Sequence, residues 1–153
     1  MISRNARTIS DLNLQRRAFW AYFAEALPDL FARTERGNES SRWLAVGPSP
    51  LIVAHYVSAT GVGVFVRGER GTKIGLVRES LFPHRRLLSE MLGREDIRLG
   101  GIFLLGDRFR CDMAQAGNWA AAVRWFAEKS PLYERALYRL QQGGIFPPGP
   151  DLP

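Results

Sequence analysis

Two segments of the chain, one near each end, repeat apolar residues at the three- and four-residue spacing of an amphipathic helix. The first begins at Asp11, a predicted N-cap, and Pro28 predicts a kink or a break because proline removes a backbone donor. The second begins near Asn118, and Ser130-Pro131 predicts either a fresh helix or a kinked continuation. Both segments therefore predict helices with one buried face.

The segment between these helices predicts β-structure, because β-branched residues cluster in short runs. Residues 51–58 and 61–67 flank Ala59-Thr60 and predict an antiparallel hairpin, with a shorter strand at residues 43–46 before it. The second hairpin strand has two distinct faces by alternation. One face carries Val62, Val64 and Val66, and the other carries Gly63, Phe65 and Arg67.

Three further stretches complete the predicted elements. Residues 34–41 are polar and predict a loop. Residues 72–92 fit either an extension of the sheet or a helix kinked at its proline, and the spacing of the leucines favours the helix. Residues 97–105 and 108–113 predict two more strands joined at Gly106-Asp107.

The predicted fold class is α+β, with an antiparallel sheet of about four or five strands packed on one face by three main helices. The predicted element order is α-β-β-β-α-β-β-α, within a single domain over residues 11–142. Residues 1–10 are predicted to form a flexible leader. Residues 143–153 contain four prolines and predict a disordered tail.

The composition is that of an ordinary globular protein, with 46% hydrophobic and 24% charged residues. No apolar stretch approaches the roughly 20 residues that span a bilayer, and the first residues lack the apolar core of a signal peptide. One cysteine, Cys111, excludes an intrachain disulfide and a cysteine-based zinc site. We therefore predict a cytoplasmic protein with no membrane partner and no cofactor.

The net charge of +6 and the isoelectric point near 10.2 are typical of proteins that bind nucleic acid. The charge is nevertheless spread along the chain, without a dense basic run. The candidate nucleic-acid-binding residues lie on the predicted second helix and last strand: Arg78, Arg85, Arg86, Arg108 and Arg110. Guanidinium forks suit phosphate groups, but the spread of charge favours the alternative of a solvated surface with ion pairs.

Residues with catalytic or metal-binding chemistry are few and dispersed. The two histidines, His55 and His84, suggest a metal site only if Asp107 or Asp112 completes it, and packed or surface histidines are the favoured interpretation. Cys111 is expected to be a buried apolar residue within a strand rather than a nucleophile. The glycines after the hairpin lack the Gly-Lys-Ser/Thr ending of a phosphate loop, so they predict turns.

Two tryptophans are candidates for a partner surface. Trp119 lies on the inward stripe of the last helix, whereas Trp125, six residues later, is rotated by about 240° around it. Trp20 lies off the apolar stripe of the first helix. Exposed aromatic rings often mark contacts, so Trp20 and Trp125 predict a surface for a partner, and a homodimer is one such arrangement.

Several landmarks occur in a characteristic order along the chain. They are Arg17-Ala18-Phe19-Trp20, Ser41-Arg42-Trp43-Leu44, Phe65-Val66, Leu81 with Leu88 to Gly93, and Asn118-Trp119 with Trp125. Over about residues 13–140 this order resembles a prokaryotic family known as domain of unknown function 4268. The resemblance implies an α+β domain, attached in some members to nuclease-like or restriction-associated proteins. No catalytic residues are established for the family, so none are carried over. Ser89, and Arg98 with Leu99, depart from the Glu and the Trp that family members often carry.

The absence of a converging acid, base, nucleophile or metal set in the sequence favours a non-catalytic accessory or interaction domain. The resemblance adds an expected association with DNA defence or restriction systems, through a nuclease or restriction protein as partner. The first alternative is a basic module that binds nucleic acid through the five arginines. The second alternative is a hydrolase or nuclease built on His55, His84 or Cys111.

Overall fold

The computed structural model describes residues 4–95, 97–100 and 104–142, with side chains from Asp11 onward. Its elements are α1 (Arg4–Ala26), α2 (Pro28–Arg33), β1 (Thr34–Asn38), β2 (Ser41–Ala45), β3 (Leu51–Ser58), β4 (Gly61–Gly68), α3 (Ile74–Leu81), α4 (Arg85–Leu92), β5 (Gly106–Arg110) and α5 (Trp119–Gln142). The five strands form one antiparallel sheet in the order β1-β2-β3-β4-β5. The predicted α+β class is therefore confirmed.

One face of the sheet packs against the helices. Val53 and Val57 of β3 pair with Val66 and Val62 of β4, so the four side chains lie on the same side. The helices add large, fully buried side chains to this core: Phe19 and Phe23 from α1, Leu81 from α3, Leu88 from α4, and Phe126, Tyr133, Leu137 and Leu140 from α5. Each buried side chain of this size contributes about 1.5–3 kcal/mol, so this face fixes how the sheet is oriented.

The opposite face, which we call the open face, carries a different set of residues. Strand alternation places Trp43, Ala54, Tyr56, Phe65 and Arg67 on it. Within the described ranges, none of these five residues belongs to the core or packs against it. Ala54 is fully buried all the same, because its cross-strand neighbours are the rings of Trp43 and Phe65.

The predicted hairpin and helix breaks are confirmed. The strands β3 and β4 flank the turn at Ala59-Thr60, and α1 ends at Ala26, with one residue between it and Pro28, which begins α2. The ambiguous stretch after the hairpin is helical, divided by a 3-10 turn at Phe82–His84. Gly93 ends α4 in the left-handed conformation, at φ +67°. The last helix is continuous through Pro131, rather than two helices.

Two predicted boundaries are wrong. The predicted loop at 34–41 contains strand β1, because pairing with β2 supplies the backbone hydrogen bonds that its polar side chains do not signal. Asp11 lies inside α1, which begins at Arg4, so the predicted leader is helical where the structure describes it. Residues 1–3 and the predicted tail, 143–153, lie outside the described residues.

The predicted strands near the last turn also differ. Residues 97–100 and 104–105 are not in a strand, and β5 is a single short strand. Gly106 and Asp107 begin β5 instead of forming a turn, because they pair with Phe65 and Val64 of β4. A Cβ atom at Gly106 would lie 2.7 Å from the Val64 carbonyl oxygen, so glycine permits this close pairing.

No helix in the described part of the chain is both long enough and apolar enough to span a bilayer. The longest helix, α5, instead places eight residues in the domain interior and keeps charged residues such as Arg124 and Arg135 exposed. This two-sided pattern is that of a helix packed on a sheet.

We predict that Gly61→Ala lowers the free energy of unfolding by about 1–3 kcal/mol, because a Cβ atom would overlap the backbone carbonyl oxygen of Phe109 across the β4–β5 pair. Gly75, in the first turn of α3, has open space around it. Gly75→Ala should therefore leave stability unchanged or raise it by up to about 1 kcal/mol. Urea unfolding measures the free energy of unfolding of both variants. Equal losses of stability in the two variants would contradict the close approach of β4 to β5.

Candidate nucleic-acid interface

Aromatic rings and arginines share the open face. Trp43 on β2, Tyr56 on β3 and Phe65 on β4 supply one ring from each of three adjacent strands. Four arginines surround the rings: Arg67 on β4, Arg70 in the turn after it, and Arg108 and Arg110 on β5. We call these seven residues the arginine–aromatic face.

The indole of Trp43 is held between the sheet and two guanidinium groups. A Cβ atom at Gly37 would overlap the indole, so the ring lies directly over this glycine of β1. The Cζ atoms of Arg67 and Arg70 lie 3.9 and 4.4 Å from the centroid of the Trp43 ring. Arg70 also donates to the Gly37 carbonyl oxygen at 2.8 Å, which fixes it to the edge strand. These contacts preorganise both cations beside a flat ring.

The rings of Tyr56 and Phe65 form a second aromatic unit on the same face. Their centroids are 5.8 Å apart in an edge-to-face arrangement. A side chain at Gly63 would overlap the Tyr56 ring, so glycine lets this ring lie flat on β4. Burial raises the pKa of Tyr56, and the positive charge of Arg108 opposes that shift. The Arg108 side chain donates to the Thr60 hydroxyl at the hairpin turn.

Most of the charged side chains that the sheet register places on this face are arginines. Burial and the neighbouring charge of Arg70 both lower the pKa of Arg67, which shows that the guanidinium groups crowd one another. Glu35 is the acidic residue that the β1–β2 register places opposite Trp43. A cleft of about 250 Å³ opens beside Phe65 and Arg67, toward Ile74 of α3. The face therefore combines flat rings, positive charge and a concave edge.

The five arginines predicted from sequence do not form one patch. Arg108 and Arg110 lie on the open face, on alternate positions of β5. Arg78 belongs to α3, and its Nε donates to the Leu99 carbonyl oxygen at 2.6 Å. Arg85 belongs to α4 and lies over the Phe82 ring at 3.5 Å, and Arg86 is exposed beside it on that helix. Arg108 and Arg110 therefore lie on the open face of the sheet, whereas the other three arginines lie on helices α3 and α4.

The two tryptophans predicted at a partner surface have different surroundings. Trp20 is only 8% exposed, packs on Phe23 and Phe126, and donates from Nε1 to the Glu39 carbonyl oxygen at 3.2 Å. It is a core residue, because its helix turns this side toward α5. Trp125 is half-buried and stacks on Phe109 of β5 with centroids 6.2 Å apart. Trp125 is therefore the partner-surface candidate that keeps an accessible ring.

His55 is part of a buried polar pair rather than a metal site. The residue is 0% exposed, and its Nε2 lies 2.8 Å from the hydroxyl of Ser130, which is 1% exposed. The ring packs against Phe126 and Phe23. Burial lowers the pKa of His55 to about 4, so the imidazole is neutral and a weak base.

This pair resembles a nucleophile and base in geometry, but its surroundings favour a structural role. Ser130 borders a groove of about 360 Å³ between α2 and α5, whose other walls are mainly apolar. The hydroxyl itself is sequestered at 1% exposure, and burial makes the His55 imidazole a poor base. The arrangement instead ties β3 to the middle of α5.

The remaining candidate residues do not converge. His84 is in the 3-10 turn before α4, and Cys111 follows β5 instead of lying within a strand. Burial and the adjacent Asp112 raise the pKa of the Cys111 thiol, which disfavours the thiolate. Asp107 accepts a hydrogen bond from the Tyr133 hydroxyl at 2.7 Å and so anchors β5 to α5. The described ranges contain no group of three His, Cys, Asp or Glu side chains suited to a metal ion.

Sequence analysis did not identify Tyr56, Phe65, Arg67 and Arg70 as candidate site residues and did not group Trp43 with them. A usable signal was present in the alternation of β4, where valines occupy one face and Gly63, Phe65 and Arg67 the other. That pattern predicts which face is buried, but it does not predict that β2 and β3 add rings beside Phe65. The register of three strands supplies that information.

Comparisons of the chain with protein-family models, curated proteins and solved structures give no match. The resemblance to domain of unknown function 4268 therefore stays a prediction from the sequence landmarks.

We predict that His55 makes the protein less stable in acid. Its folded pKa of about 4 lies below the value near 6.5 of an unfolded histidine, so the unfolded state binds the proton first as pH falls. The contribution to the free energy of unfolding is fully present above about pH 7 and is lost progressively between about pH 6.5 and 4, by about 3 kcal/mol in total.

His55→Gln keeps a hydrogen-bonding group toward Ser130 and does not titrate. Urea unfolding of both proteins across this pH range should give a steeper loss of stability for the unchanged protein. Parallel pH profiles for the two proteins would contradict the buried, neutral state of His55.

Proposed function

We propose that the protein is a non-catalytic accessory domain that binds single-stranded nucleic acid on the arginine–aromatic face. The observation that carries this proposal is the presence of Trp43, Tyr56 and Phe65 on three adjacent strands, with arginines beside them. Sheet faces of this composition stack unpaired bases on their rings and neutralise phosphates with their cations. The net charge of +6 supports the same partner.

The geometry favours a single strand over a duplex. Stacking requires that a base present its flat side to a ring, and bases in a duplex are already stacked on one another. The rings of Tyr56 and Phe65, 5.8 Å apart, are set into the sheet and do not project from it as a wedge. The Arg67 and Arg70 guanidinium planes over Trp43 add a stacking surface that also carries charge.

A second copy of the chain is the competing occupant of the open face. A two-fold symmetric dimer through this face would bring the same surface of each copy together. The four arginines of the face would then meet four identical charges, and like charges across an interface oppose association. The charge of the open face therefore favours nucleic acid over a second copy as its partner. A homodimer would form through another surface, for example around Trp125.

We predict that Phe65→Leu weakens binding of a fluorescent single-stranded oligonucleotide by about 5- to 150-fold, because it removes a stacking ring worth about 1–3 kcal/mol. Trp43→Leu should also weaken binding, because it removes the ring that holds Arg67 and Arg70 in place. Leucine keeps apolar contact with the sheet, and circular dichroism checks that each variant is folded. Trp125→Leu is the matched control, since it removes a ring from the helical side. Wild-type protein that binds duplex as tightly as single strand, or that binds neither at low salt, would contradict the proposal.

We predict that binding depends on salt through the arginines of the open face. Each phosphate contact to a single strand contributes about −0.7 to the slope of log affinity against log salt concentration. Arg110→Gln should make this slope shallower by about 0.7 and weaken binding at low salt. Arg124→Gln removes the same charge from the exposed side of α5 and should change neither quantity. Equal effects of the two substitutions would indicate attraction by net charge alone, which contradicts a defined site.

The biological setting proposed for this domain is DNA defence or restriction, with a nuclease or restriction protein as partner. This part of the proposal is supported by the sequence landmarks. A single-stranded nucleic-acid contact is chemically consistent with it, because nucleolytic and unwinding steps expose unpaired strands. Co-purification with a nuclease encoded beside the gene, lost in Trp125→Ala, would support the partner assignment. Unchanged co-purification would place the partner contact elsewhere on the domain.

A further inference from the structure

A second group of arginines lines a pocket at the β1–β2 edge of the sheet, on the side of the sheet that the helices cover. The pocket has a volume of about 310 Å³ and is enclosed by α1, α2 and the β1–β2 hairpin. Its walls include the rings of Trp20 and Phe31 and three arginines, Arg17, Arg36 and Arg42. None of these residues belongs to the arginine–aromatic face, so the pocket is independent of the function proposed above.

The charges around the pocket are unbalanced. Three guanidinium groups face one carboxylate, that of Glu39, among the residues that border it. Burial, and then the charge of Arg36, lower the pKa of Arg42, as expected for cations that lack enough counter-charge. An anion that enters this pocket would relieve that repulsion.

Arg42 is preorganised at the base of the pocket. Its Nε donates to the Thr34 hydroxyl at 2.8 Å and its Nη2 donates to the Thr34 carbonyl oxygen at 3.1 Å. Its Cζ lies 4.0 Å from the centroid of the Phe31 ring. These contacts orient the guanidinium while Nη1 has no acceptor within the described ranges, and a held cation with donors to spare is suited to an incoming oxyanion.

The carboxylate of Glu39 is itself an anion bound by two arginines of this pocket. Its Oε1 accepts from Nη2 of Arg17 at 3.2 Å and from Nη2 of Arg36 at 2.6 Å, so two guanidinium groups already converge on one oxygen. The hydrogen bond from Arg17 is the main reason that the pKa of Glu39 is lowered. The two arginines are about two-thirds exposed, and ion pairs this exposed are weak and exchange readily. A stronger anion can therefore displace the carboxylate.

We propose that this pocket binds a phosphate monoester group, which Arg17, Arg36 and Arg42 neutralise in place of Glu39. A phosphate monoester carries nearly two negative charges and three acceptor oxygens, which matches three guanidinium groups better than one carboxylate does. The pocket, of about 310 Å³, is larger than the phosphate itself and leaves room for part of the group that carries the phosphate. The same chemistry is presented by a mononucleotide and by the terminal phosphate of a nucleic-acid strand.

The test uses the full chain and titration calorimetry at low ionic strength, with adenosine 5′-monophosphate, adenosine, and an oligonucleotide with or without a 5′-phosphate. The proposal expects adenosine 5′-monophosphate to bind with a Kd of about 1 mM or tighter and adenosine not to bind. It expects Arg36→Gln to weaken this binding about 10-fold, and Glu39→Gln to strengthen it several-fold because the internal competitor is lost. Arg135→Gln and Glu128→Gln, exposed on α5, are the charge-matched controls.

The outcomes are distinct. Tighter binding of the phosphorylated oligonucleotide than of its unphosphorylated form, abolished by Arg36→Gln, identifies a strand end as the source of the phosphate. Equal affinity for the two oligonucleotides, with binding of the mononucleotide retained, identifies a free nucleotide. Absence of mononucleotide binding, or equal effects of Arg36→Gln and Arg135→Gln, overturns the proposal. Loss of oligonucleotide binding in Trp43→Leu with mononucleotide binding intact separates this pocket from the arginine–aromatic face.

Discussion

Antiparallel pairing of β3 with β4 sends successive side chains to opposite sides of the sheet, and the rest of the molecule depends on that constraint. The valines of the two strands meet α1 and α5 and close the core. The same alternation then sends Tyr56 and Phe65 away from the helices, whatever their hydrophobicity. A one-residue shift in register would exchange the two faces, so burial of the valines also fixes the arginine–aromatic face.

Two glycines on neighbouring strands let large rings lie flat on the open face. Gly37 lies beneath Trp43 and Gly63 lies beneath Tyr56, and a Cβ atom at either position would overlap the ring above it. A ring that lies flat covers the backbone beneath it, and the outer side of the Trp43 ring holds the guanidinium groups of Arg67 and Arg70. This arrangement explains why Ala54, between Trp43 and Phe65, is inaccessible although no part of the described core covers it.

The edge strand β1 connects the two positively charged regions. Its Gly37 carbonyl accepts a hydrogen bond from Arg70 of the open face, and Arg36 beside it contributes to the pocket on the helical side. Positive charge is in excess at both places, and the arginines repel one another there. A bound phosphate group relieves that repulsion, and both proposals rest on this physical effect.

Local patterns in the sequence predicted the elements whose signal is local. The valine alternation of β4, the break before Pro28 and the left-handed Gly93 belong to this class. Strand β1 was missed because its polar residues become a strand only through pairing with β2. The grouping of Trp43 with Arg70 was missed for the same reason, since 27 positions separate them in sequence and only the sheet register brings them together.

The central claim is that the open face, and not the net charge of the whole domain, contacts nucleic acid. The most direct measurement is an NMR titration of isotope-labelled protein with an unphosphorylated single-stranded oligonucleotide. If nucleic acid binds the open face, the largest chemical-shift changes belong to the Trp43 indole and to ring and amide protons of β3, β4 and β5. Shifts spread evenly over exposed arginines, or concentrated on the outer side of α5, would contradict it.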